Sequence, residues 1–282
     1  MSPPSTALEA DWLGLCRRAT EGVNAILARS PTTRERAVET GQRGEGGDLT
    51  LEIDREVEQC VFSLLDELHA AGHRFCAVSE ERGIVDYGDP AVRVVIDPID
   101  GSLNAKRGLP QHAISIAVAD GPTMADVGFA YVYDFGPGEE WVARRGAGAT
   151  VDGQRLDPAV GERRNRAGKL EVLGIESADP RWVAEVAADL PDHAARLRAL
   201  GSIAITLCQV AAARLDGMFT IKRTRAVDAA AGQLIVREAG GHVAFPGAEG
   251  PLGAPLDVQA HHAVVAARTA QTLAELGALP RA

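Results

Sequence analysis

The sequence predicts an α/β protein whose N-terminal half is α+β and whose C-terminal half is α/β. In the first half, helical patterns are followed by short apolar runs between turn residues, which is typical of neighbouring strands. In the second half, strand-like runs and helical patterns alternate. A charged, glycine-containing stretch at 157–168 separates the halves. We therefore expect an N-terminal domain at 1–165 and a C-terminal domain at 166–282.

Composition and charge are those of an ordinary globular protein. The 282 residues are 46% hydrophobic and 24% charged, which gives room for a large core. The net charge is −10 and there is no basic block, so we expect no binding to nucleic acid or to an anionic membrane. Without a leader or a transmembrane-length run, we expect a cytoplasmic protein. Free, buried thiols are expected at Cys16, Cys60, Cys76 and Cys208.

Two amphipathic helices are predicted near the start of the chain. Apolar residues recur at helical spacing from Trp12 to Ile26 and again from Val57 to Leu68. Asp54 is placed as the N-cap of the second helix. Residues 39–48 contain four glycines and no periodicity, so we expect a mobile loop there, either functional or a plain connection.

The most informative stretch is a short apolar run that ends in two carboxylates. Val94–Ile96 predicts a buried strand, and we expect it to stop at Pro98, which cannot donate a ladder hydrogen bond. Asp97 and Asp100 then share one tight turn. Two such carboxylates repel each other unless they share a proton or a cation. Capping aspartates in a loop would explain them, and so would a divalent-metal site of oxygen ligands.

Other acidic residues stand at element ends. A strand at 75–79 ends in Glu80-Glu81, and Asp228 begins a later helix. This pattern favours a shared Mg²⁺ site over scattered caps, because two ions can clamp both oxygens of a phosphate ester. Gly101 and Ser102 follow the acidic turn, where free backbone N–H groups can receive an anion and a serine hydroxyl can orient water.

Other catalytic motifs are missing from the sequence. Gly146-Ala147-Gly148 lacks the third glycine of a dinucleotide fingerprint and lies in a predicted hairpin. There is no GxxxxGK[ST] motif and no GxSxG motif, and no histidine lies beside a convincing nucleophile. Nucleotide hydrolysis by a P-loop and triad chemistry are therefore not expected.

The ordered motifs resemble those of the inositol monophosphatase superfamily over roughly residues 40–245. They are Gly47-Asp48-x-Thr50-x-x-Ile53-Asp54, Glu80-Glu81, Asp97-Pro98-Ile99-Asp100-Gly101-Ser102, Asp228-Ala229-Ala230-Ala231-Gly232 and Glu238-Ala239-Gly240-Gly241. They are most similar to the branch that hydrolyses inositol monophosphate, fructose 1,6-bisphosphate or both. The resemblance implies a layered αβαβα sandwich, lithium-sensitive phosphomonoester hydrolysis with two or three Mg²⁺ ions, and a homodimer.

The resemblance also implies roles for individual residues. The metal ligands would be Glu80, Asp97, the carbonyl of Ile99, Asp100 and Asp228. Glu80 would help to place a third ion, together with acids of the 39–48 loop. Ser102, backed by Asp54, would activate water, and the N–H groups of Gly101 and Ser102 would hold the phosphate. Gly201 and Ser202 would line the substrate pocket.

Three departures from the family pattern bear on the substrate. Ser102 replaces the usual threonine and keeps the hydroxyl. Arg43 is the candidate replacement for a loop lysine. Ile221 stands where inositol-type enzymes carry a glutamate that contacts sugar hydroxyls, and a cationic run, Lys222-Arg223-Thr224-Arg225, follows it. Arg223 and Arg225 therefore favour a substrate with a second negative group, although a solvated basic strand edge is the alternative.

We expect a Mg²⁺-dependent phosphatase that acts on a small sugar or cyclitol phosphate resembling fructose 1,6-bisphosphate or inositol monophosphate. One alternative is a phosphatase of 3′(2′),5′-bisphosphate nucleotides. Another is a catalytically silent phospholigand-binding protein on the same scaffold. A third is an interaction scaffold whose acidic residues act only as caps.

Overall fold

The computed structural model describes residues 6–36, 39–43 and 49–279. Within these ranges the helices are α1 Trp12–Arg29, α2 Thr33–Arg36, α3 Glu52–Ala70, α4 Ser102–Arg107, α5 Pro180–Val186, α6 Leu190–His193, α7 Ile203–Ala211, α8 Ala226–Glu238 and α9 Ala270–Gly277. The strands are β1 Glu39–Arg43, β2 Leu49–Leu51, β3 Cys76–Ser79, β4 Gly83–Asp86, β5 Arg93–Asp100, β6 Ala113–Ala119, β7 Val127–Asp134, β8 Glu139–Arg144, β9 Gly148–Val151, β10 Gln154–Arg155, β11 Leu173–Glu176, β12 Leu197–Arg198, β13 Gly217–Thr220, β14 His242–Ala244 and β15 Val265–Ala267.

Two mixed sheets dominate the described chain. The larger has eight strands in the order β10-β9-β8-β7-β6-β5-β3-β4, and only the β3–β5 pair in it is parallel. The smaller has five strands in the order β12-β11-β13-β15-β14, with β12, β11 and β13 parallel. The mixed α/β fold predicted from the sequence is confirmed.

The helices cover both sheets and produce the five αβαβα layers. In β5, Val94 and Ile96 pack against α1 and α3, whereas Val95 points to the opposite face and packs with α7 and α8. In β13, Met218 joins that same α7–α8 core, whereas Phe219 packs with the outer helices α5, α6 and α9. This alternation follows from the two-residue period of a strand. One apolar core thus crosses the sequence position 165, and the division into domains there remains a prediction.

The bulge in β5 corrects the expectation that the strand stops at Pro98. The strand continues to Asp100, and its pairing with β6 shifts between Asp97↔Ser115 and Asp100↔Ala113. The chain thus advances three residues along β5, from Asp97 to Asp100, while it advances only two along β6, from Ser115 to Ala113. The strand β5 therefore contains one extra residue at this place. A proline is tolerated at such a bulge because the extra residue makes no ladder hydrogen bond. Residues three apart in a regular strand point to opposite faces, and the extra residue cancels that inversion for the two aspartates.

Two further predictions near the N-terminus need correction. Glu39–Arg43 is a strand that pairs with Leu49–Leu51 rather than part of a loop. The remainder of the predicted loop, including Asp48, lies outside the described residues. The helix α3 begins at Glu52, so Asp54 lies in its first turn and is not its N-cap. A carboxylate in the first turn is still favoured by the helix dipole.

Two further expectations concerned free, buried thiols and membrane-spanning segments. The four cysteines are free, but Cys60 is half-buried where full burial was expected. No described helix has the length and apolar character required to cross a membrane.

A buried arginine ties together the ends of the two central helices. The guanidinium of Arg268 is buried and donates to the backbone carbonyls of Val160, Ala211 and Ala239 at 2.8, 3.0 and 2.9 Å. Ala211 ends α7 and Ala239 caps α8. The positive charge therefore sits at the negative ends of both helix dipoles and satisfies carbonyls that lack helical partners.

We expect Arg268→Ala to lower the free energy of unfolding by about 3 kcal/mol, because it removes hydrogen bonds from a charged donor and leaves buried carbonyls unpaired. Urea titration followed by circular dichroism measures this change. Arg166→Ala, at an exposed arginine, is the control and should be neutral. Equal urea midpoints for the two variants would contradict the assignment.

Candidate metal centre and active site

The strand β5 supplies the first two carboxylates of the site. Asp97 and Asp100 are 1% and 7% exposed. The backbone N–H of Ile99 donates to Oδ1 of Asp97 at 3.0 Å, across the bulge. Oδ2 of Asp100 accepts from the hydroxyl of Ser202 and the N–H of Ala204, both at 2.6 Å. Each aspartate is therefore held by neighbouring backbone in one orientation. The carbonyl of Ile99 as a metal ligand remains a prediction.

The third carboxylate comes from the first turn of α8. Asp228 is the third residue of this helix, which begins at Ala226 rather than at Asp228 as the sequence indicated. Its Oδ2 accepts from the hydroxyl of Thr224 at 2.7 Å and from the N–H of Arg225 at 3.1 Å. One ligand atom each from Asp97, Asp100 and Asp228 lie within 4.8 Å of one another. We call these three acids the acidic triad. The first and the last of them are 131 positions apart in sequence.

A half-buried arginine joins Glu80 to the acidic triad. Glu80 lies in the turn between β3 and β4. Its Oε1 accepts from Nη1 of Arg225 at 2.6 Å, and Nη2 of the same guanidinium lies 3.3 Å from Oδ1 of Asp228. The side chain of Arg225 is only 22% exposed. The structure thus gives Arg225 two partners that the sequence prediction of a substrate-binding role did not include.

The pKa values of these acids reflect their crowding. Burial, followed by the charges of Glu80, Asp100 and Asp228, raises the pKa of Asp97 well above its usual range. Burial and the charge of Asp228 raise the pKa of Asp100 to about 8, although hydrogen bonds from Ser202 and Ala204 oppose the rise. Burial raises the pKa of Glu80 to about 7 against the attraction of Arg225. Negative charge at this place is therefore costly without further cations.

The donor set fits a hard divalent cation. All three ligand candidates of the acidic triad are carboxylates, which Mg²⁺ prefers, and all three are buried. Buried carboxylates are normally paired with a cation or coordinate a metal. For Arg225, burial alone would lower the pKa, but the charges of Asp228, Glu80 and Asp97 outweigh burial and raise it. Even so, one guanidinium offsets only one of the four negative charges.

This crowding predicts how stability depends on pH when divalent ions are chelated. Burial and neighbouring acids raise the pKa of Asp100 to about 8 and that of Glu80 to about 7 in the folded protein, against about 4 for both groups when unfolded. Between these values the folded protein binds more protons, so the free energy of unfolding falls as pH rises. We expect the melting temperature in chelator to decrease from pH 5.5 to 8. The decrease should be smaller in Mg²⁺, because ion binding favours the deprotonated acids.

Asp100→Asn is the control for that measurement, because it removes one of the titrating groups. Its melting temperature in chelator should vary less with pH than that of the wild type. Identical slopes for the two proteins would show that other groups govern the pH dependence.

The turn after Asp100 brings the predicted phosphate-binding residues beside α7. Gly101 has φ +87°, and a Cβ there would lie 2.7 Å from the carbonyl oxygen of Gln111, so only glycine fits. Ser102 is exposed and begins α4. The amide of Asn104 donates to the carbonyls of Gln111 and Leu200, both at 2.7 Å. The turn is thereby fixed to the loop that leads into α7.

Gly201 and Ser202 occupy that loop, but Ser202 is 1% exposed. Its hydroxyl caps α7 by accepting from the N–H of Ile205 at 3.2 Å while it donates to Asp100. The N–H of Gly201 donates to Glu176 at 3.0 Å. Sequence reasoning placed Ser202 against the substrate, whereas the structure shows it orienting an acid of the triad. A substrate contact from either residue remains a prediction.

The remaining site candidates lie on other elements. Asp54 is half-buried on α3, and its support of Ser102 remains a prediction. Ile221 is completely buried in the core of the smaller sheet, so its side chain makes no sugar contact. Nζ of Lys222 lies 3.7 Å from the centre of the Trp182 ring, and Arg223 is exposed. Lys222 and Arg223 thus have different surroundings from Arg225, and substrate binding by Arg223 and Arg225 remains a prediction.

Sequence reasoning missed several polar residues near these acids. Thr224 and Arg225 contact Asp228 and Glu80 directly, whereas Glu58, Ser79 and Glu176 form hydrogen bonds within the neighbouring turn and loop. A partial signal exists for Glu58, since an acid directly beside the apolar stripe of a helix is unusual. For the others no local pattern distinguishes them from ordinary polar residues.

The chain is similar to known proteins in both sequence and fold. Residues 13–279 match the inositol monophosphatase family. Over 235 residues the chain is 34% identical to Nus factor SuhB of Escherichia coli K12, with 82% of this chain and 84% of that protein covered.

Two solved structures share the fold. One is an inositol monophosphatase–fructose 1,6-bisphosphatase, with a TM-score of 0.79 and 24% identity over 95% of this chain and 98% of that one. The other is the extragenic suppressor protein SuhB of Bartonella henselae, with a TM-score of 0.76 and 23% identity over 95% and 97%.

Proposed function

Because this chain belongs to the inositol monophosphatase family, we propose that it is a Mg²⁺-dependent phosphatase of small sugar or cyclitol phosphates. The observation that carries the proposal is the acidic triad, three buried carboxylates within 4.8 Å on a scaffold of this family. Mg²⁺, when bound, supplies positive charge that activates water and stabilises the leaving oxygen. The residues that would hold it are Asp97, Asp100, Asp228 and Glu80, with the carbonyl of Ile99.

The protein's own groups would position the other reactants. The exposed hydroxyl of Ser102 would orient the attacking water, with Asp54 as its proton acceptor. The N–H groups of Gly101 and Ser102 would hold the phosphate oxygens. Ser202 and Thr224 would keep Asp100 and Asp228 in fixed orientations, which limits the reorganisation needed when charge develops.

For the substrate class, we place bisphosphorylated or otherwise anionic sugars ahead of inositol monophosphate. Ile221 is buried where inositol-type enzymes carry a hydroxyl-binding glutamate, and the exposed guanidinium of Arg223 lies two residues further along the chain. One solved structure of the same fold is described as an inositol monophosphatase–fructose 1,6-bisphosphatase. We also propose a homodimer, which light scattering on the purified protein would test.

Phosphate release from fructose 1,6-bisphosphate, inositol 1-phosphate and 3′-phosphoadenosine 5′-phosphate, each with and without Mg²⁺, tests the proposal. We expect Mg²⁺-dependent release, fastest from fructose 1,6-bisphosphate. Fastest release from the inositol phosphate would overturn the substrate preference, and fastest release from the nucleotide would favour the nucleotide phosphatase.

The Escherichia coli relative is called a Nus factor, so the catalytically silent alternative needs its own outcome. Binding of these phosphates with Mg²⁺ but without release of inorganic phosphate would favour that alternative.

A further inference from the structure

The turn that carries Glu80 and Glu81 is tied on both sides to one buried acid. The strands β3 and β4 are adjacent and antiparallel, so only residues 80–82 connect them. Glu58, on α3, is 3% exposed and faces this turn. Its Oε1 accepts from the hydroxyl of Ser79 at 2.6 Å and from the N–H of Arg82 at 3.1 Å. The residues before Glu80 and after Glu81 are therefore held by a single oxygen atom.

Arg82 strengthens the same connection. Its Nε donates to Oε2 of Glu58 at 3.3 Å, and its Nη2 donates to Oε1 of Gln59 at 2.6 Å. Its guanidinium carbon lies 4.2 Å from the centre of the Phe62 ring, which is also on α3. Charge-assisted hydrogen bonds and ring contact act together here. The 79–82 turn is thus held against α3 by its contacts with Glu58, Gln59 and Phe62. We call this set of contacts the clasp.

The position of Glu58 relates this clasp to the metal centre. Glu58 lies four residues after Asp54, so both residues project from the same face of α3. The clasp thereby fixes the turn bearing Glu80 relative to the helix bearing Asp54. Glu58 is also the one charged residue among the buried residues of α3, at a position where an apolar side chain would avoid the cost of burying a carboxylate.

We propose that Glu58 is a positioning residue for the metal centre, which aims Glu80 at the acidic triad by fixing the 79–82 turn. The inference rests on the proposed function, because it treats Glu80 as a metal ligand. Groups that orient ligands affect metal affinity without touching the ion.

Electron paramagnetic resonance of free Mn²⁺ measures ion binding to the purified full-length protein independently of catalysis. We expect Glu58→Ala to weaken Mn²⁺ binding by about 10–100-fold, the range found for residues that orient ligands. Glu58→Gln should weaken it less, because its carbonyl oxygen still accepts from Ser79 and Arg82. The control is Glu56→Ala on the same helix, whose exposed carboxylate pairs with Arg29 at 3.1 Å. It should bind Mn²⁺ like the wild type.

The outcomes separate this inference from the proposed function. Wild-type Mn²⁺ affinity in Glu58→Ala, even with a lowered melting temperature, would show that the clasp serves stability alone. If that variant fails to fold, Ser79→Ala replaces it, since it removes one hydroxyl and should weaken Mn²⁺ binding several-fold; unchanged binding would overturn the inference. A wild type that binds no Mn²⁺ would overturn the metal site and this inference together. A wild type that binds Mn²⁺ but releases no phosphate would overturn only the proposed activity.

Discussion

Asp97→Asn is expected to reduce Mg²⁺-dependent phosphate release by about a thousandfold or more, because a bound metal contributes several kcal/mol to the transition state and each 1.4 kcal/mol is tenfold in rate. Asp97 is the most buried acid of the triad, and its pKa is raised by three neighbouring acids besides burial. The amide keeps the shape of the side chain but removes its negative charge. Steady-state phosphate release with saturating Mg²⁺ measures the loss.

The same variant should be at least as stable as the wild type when divalent ions are chelated. Asp97 is repelled by Glu80, Asp100 and Asp228, so removing its charge relieves repulsion in the folded state. A loss of activity together with an equal or higher melting temperature in chelator therefore excludes unfolding as the cause. Asp120→Asn is the control, since that surface acid pairs with Arg145 away from the triad. Retained turnover in Asp97→Asn would contradict the metal assignment.

Arg225→Ala is expected to destabilise the chelated protein by about 1–3 kcal/mol, the cost of leaving partly buried acceptors without their charged donor. The guanidinium contacts Glu80 at 2.6 Å and Asp228 at 3.3 Å. Without it, both carboxylates lose the one cationic side chain that the described residues place against them. Divalent ions would then offset more charge, so the rise in melting temperature caused by Mg²⁺ should be larger in the variant than in the wild type.

Arg223→Ala provides the matched comparison two residues away. Arg223 is exposed, so this variant should keep wild-type stability in chelator and change only the relative rates on fructose 1,6-bisphosphate and inositol 1-phosphate. If Arg225→Ala raised KM for the bisphosphate while leaving stability in chelator unchanged, Arg225 would be a substrate ligand rather than a partner of the acids. Melting curves with and without Mg²⁺, together with the two assays, distinguish these roles.

The fold was largely predictable because its elements carry local signals. The apolar spacing from Trp12 to Ile26 predicts the helix that the structure shows at Trp12–Arg29. The dipeptide Asp152-Gly153 predicts the hairpin of β9 and β10, and both of its residues have positive φ. The bulge at Pro98 was not predictable in the same way. A proline in a strand pattern indicates either an end or a bulge, and the pairing with β6 that decides between them is a tertiary property.

The candidate metal ligands could be predicted from the sequence, but the residues that form hydrogen bonds around them could not. Asp97, Asp100 and Asp228 stand out because acids at element ends are visible in sequence. Ser202 is 102 positions from Asp100, and only folding brings its hydroxyl to that acid. Thr224 lies four residues before Asp228, but its sequence pattern does not show that its hydroxyl donates to this acid. The ion pairs of Arg225 are likewise not visible in the local sequence. A run of four residues containing three cations suggests one basic surface, but Arg225 is the N-cap of α8 and pairs with Glu80 and Asp228, whereas Arg223 is exposed. Substrate binding by either arginine remains a prediction.

The most direct test of the account is anomalous diffraction from a crystal of the wild-type protein soaked with Mn²⁺. The account predicts an anomalous peak bounded by the carboxylates of Asp97, Asp100 and Asp228, with the guanidinium of Arg225 displaced from at least one of its two acidic partners. A crystal with well-ordered Mn²⁺ elsewhere, and the acidic triad holding only Arg225, would contradict it.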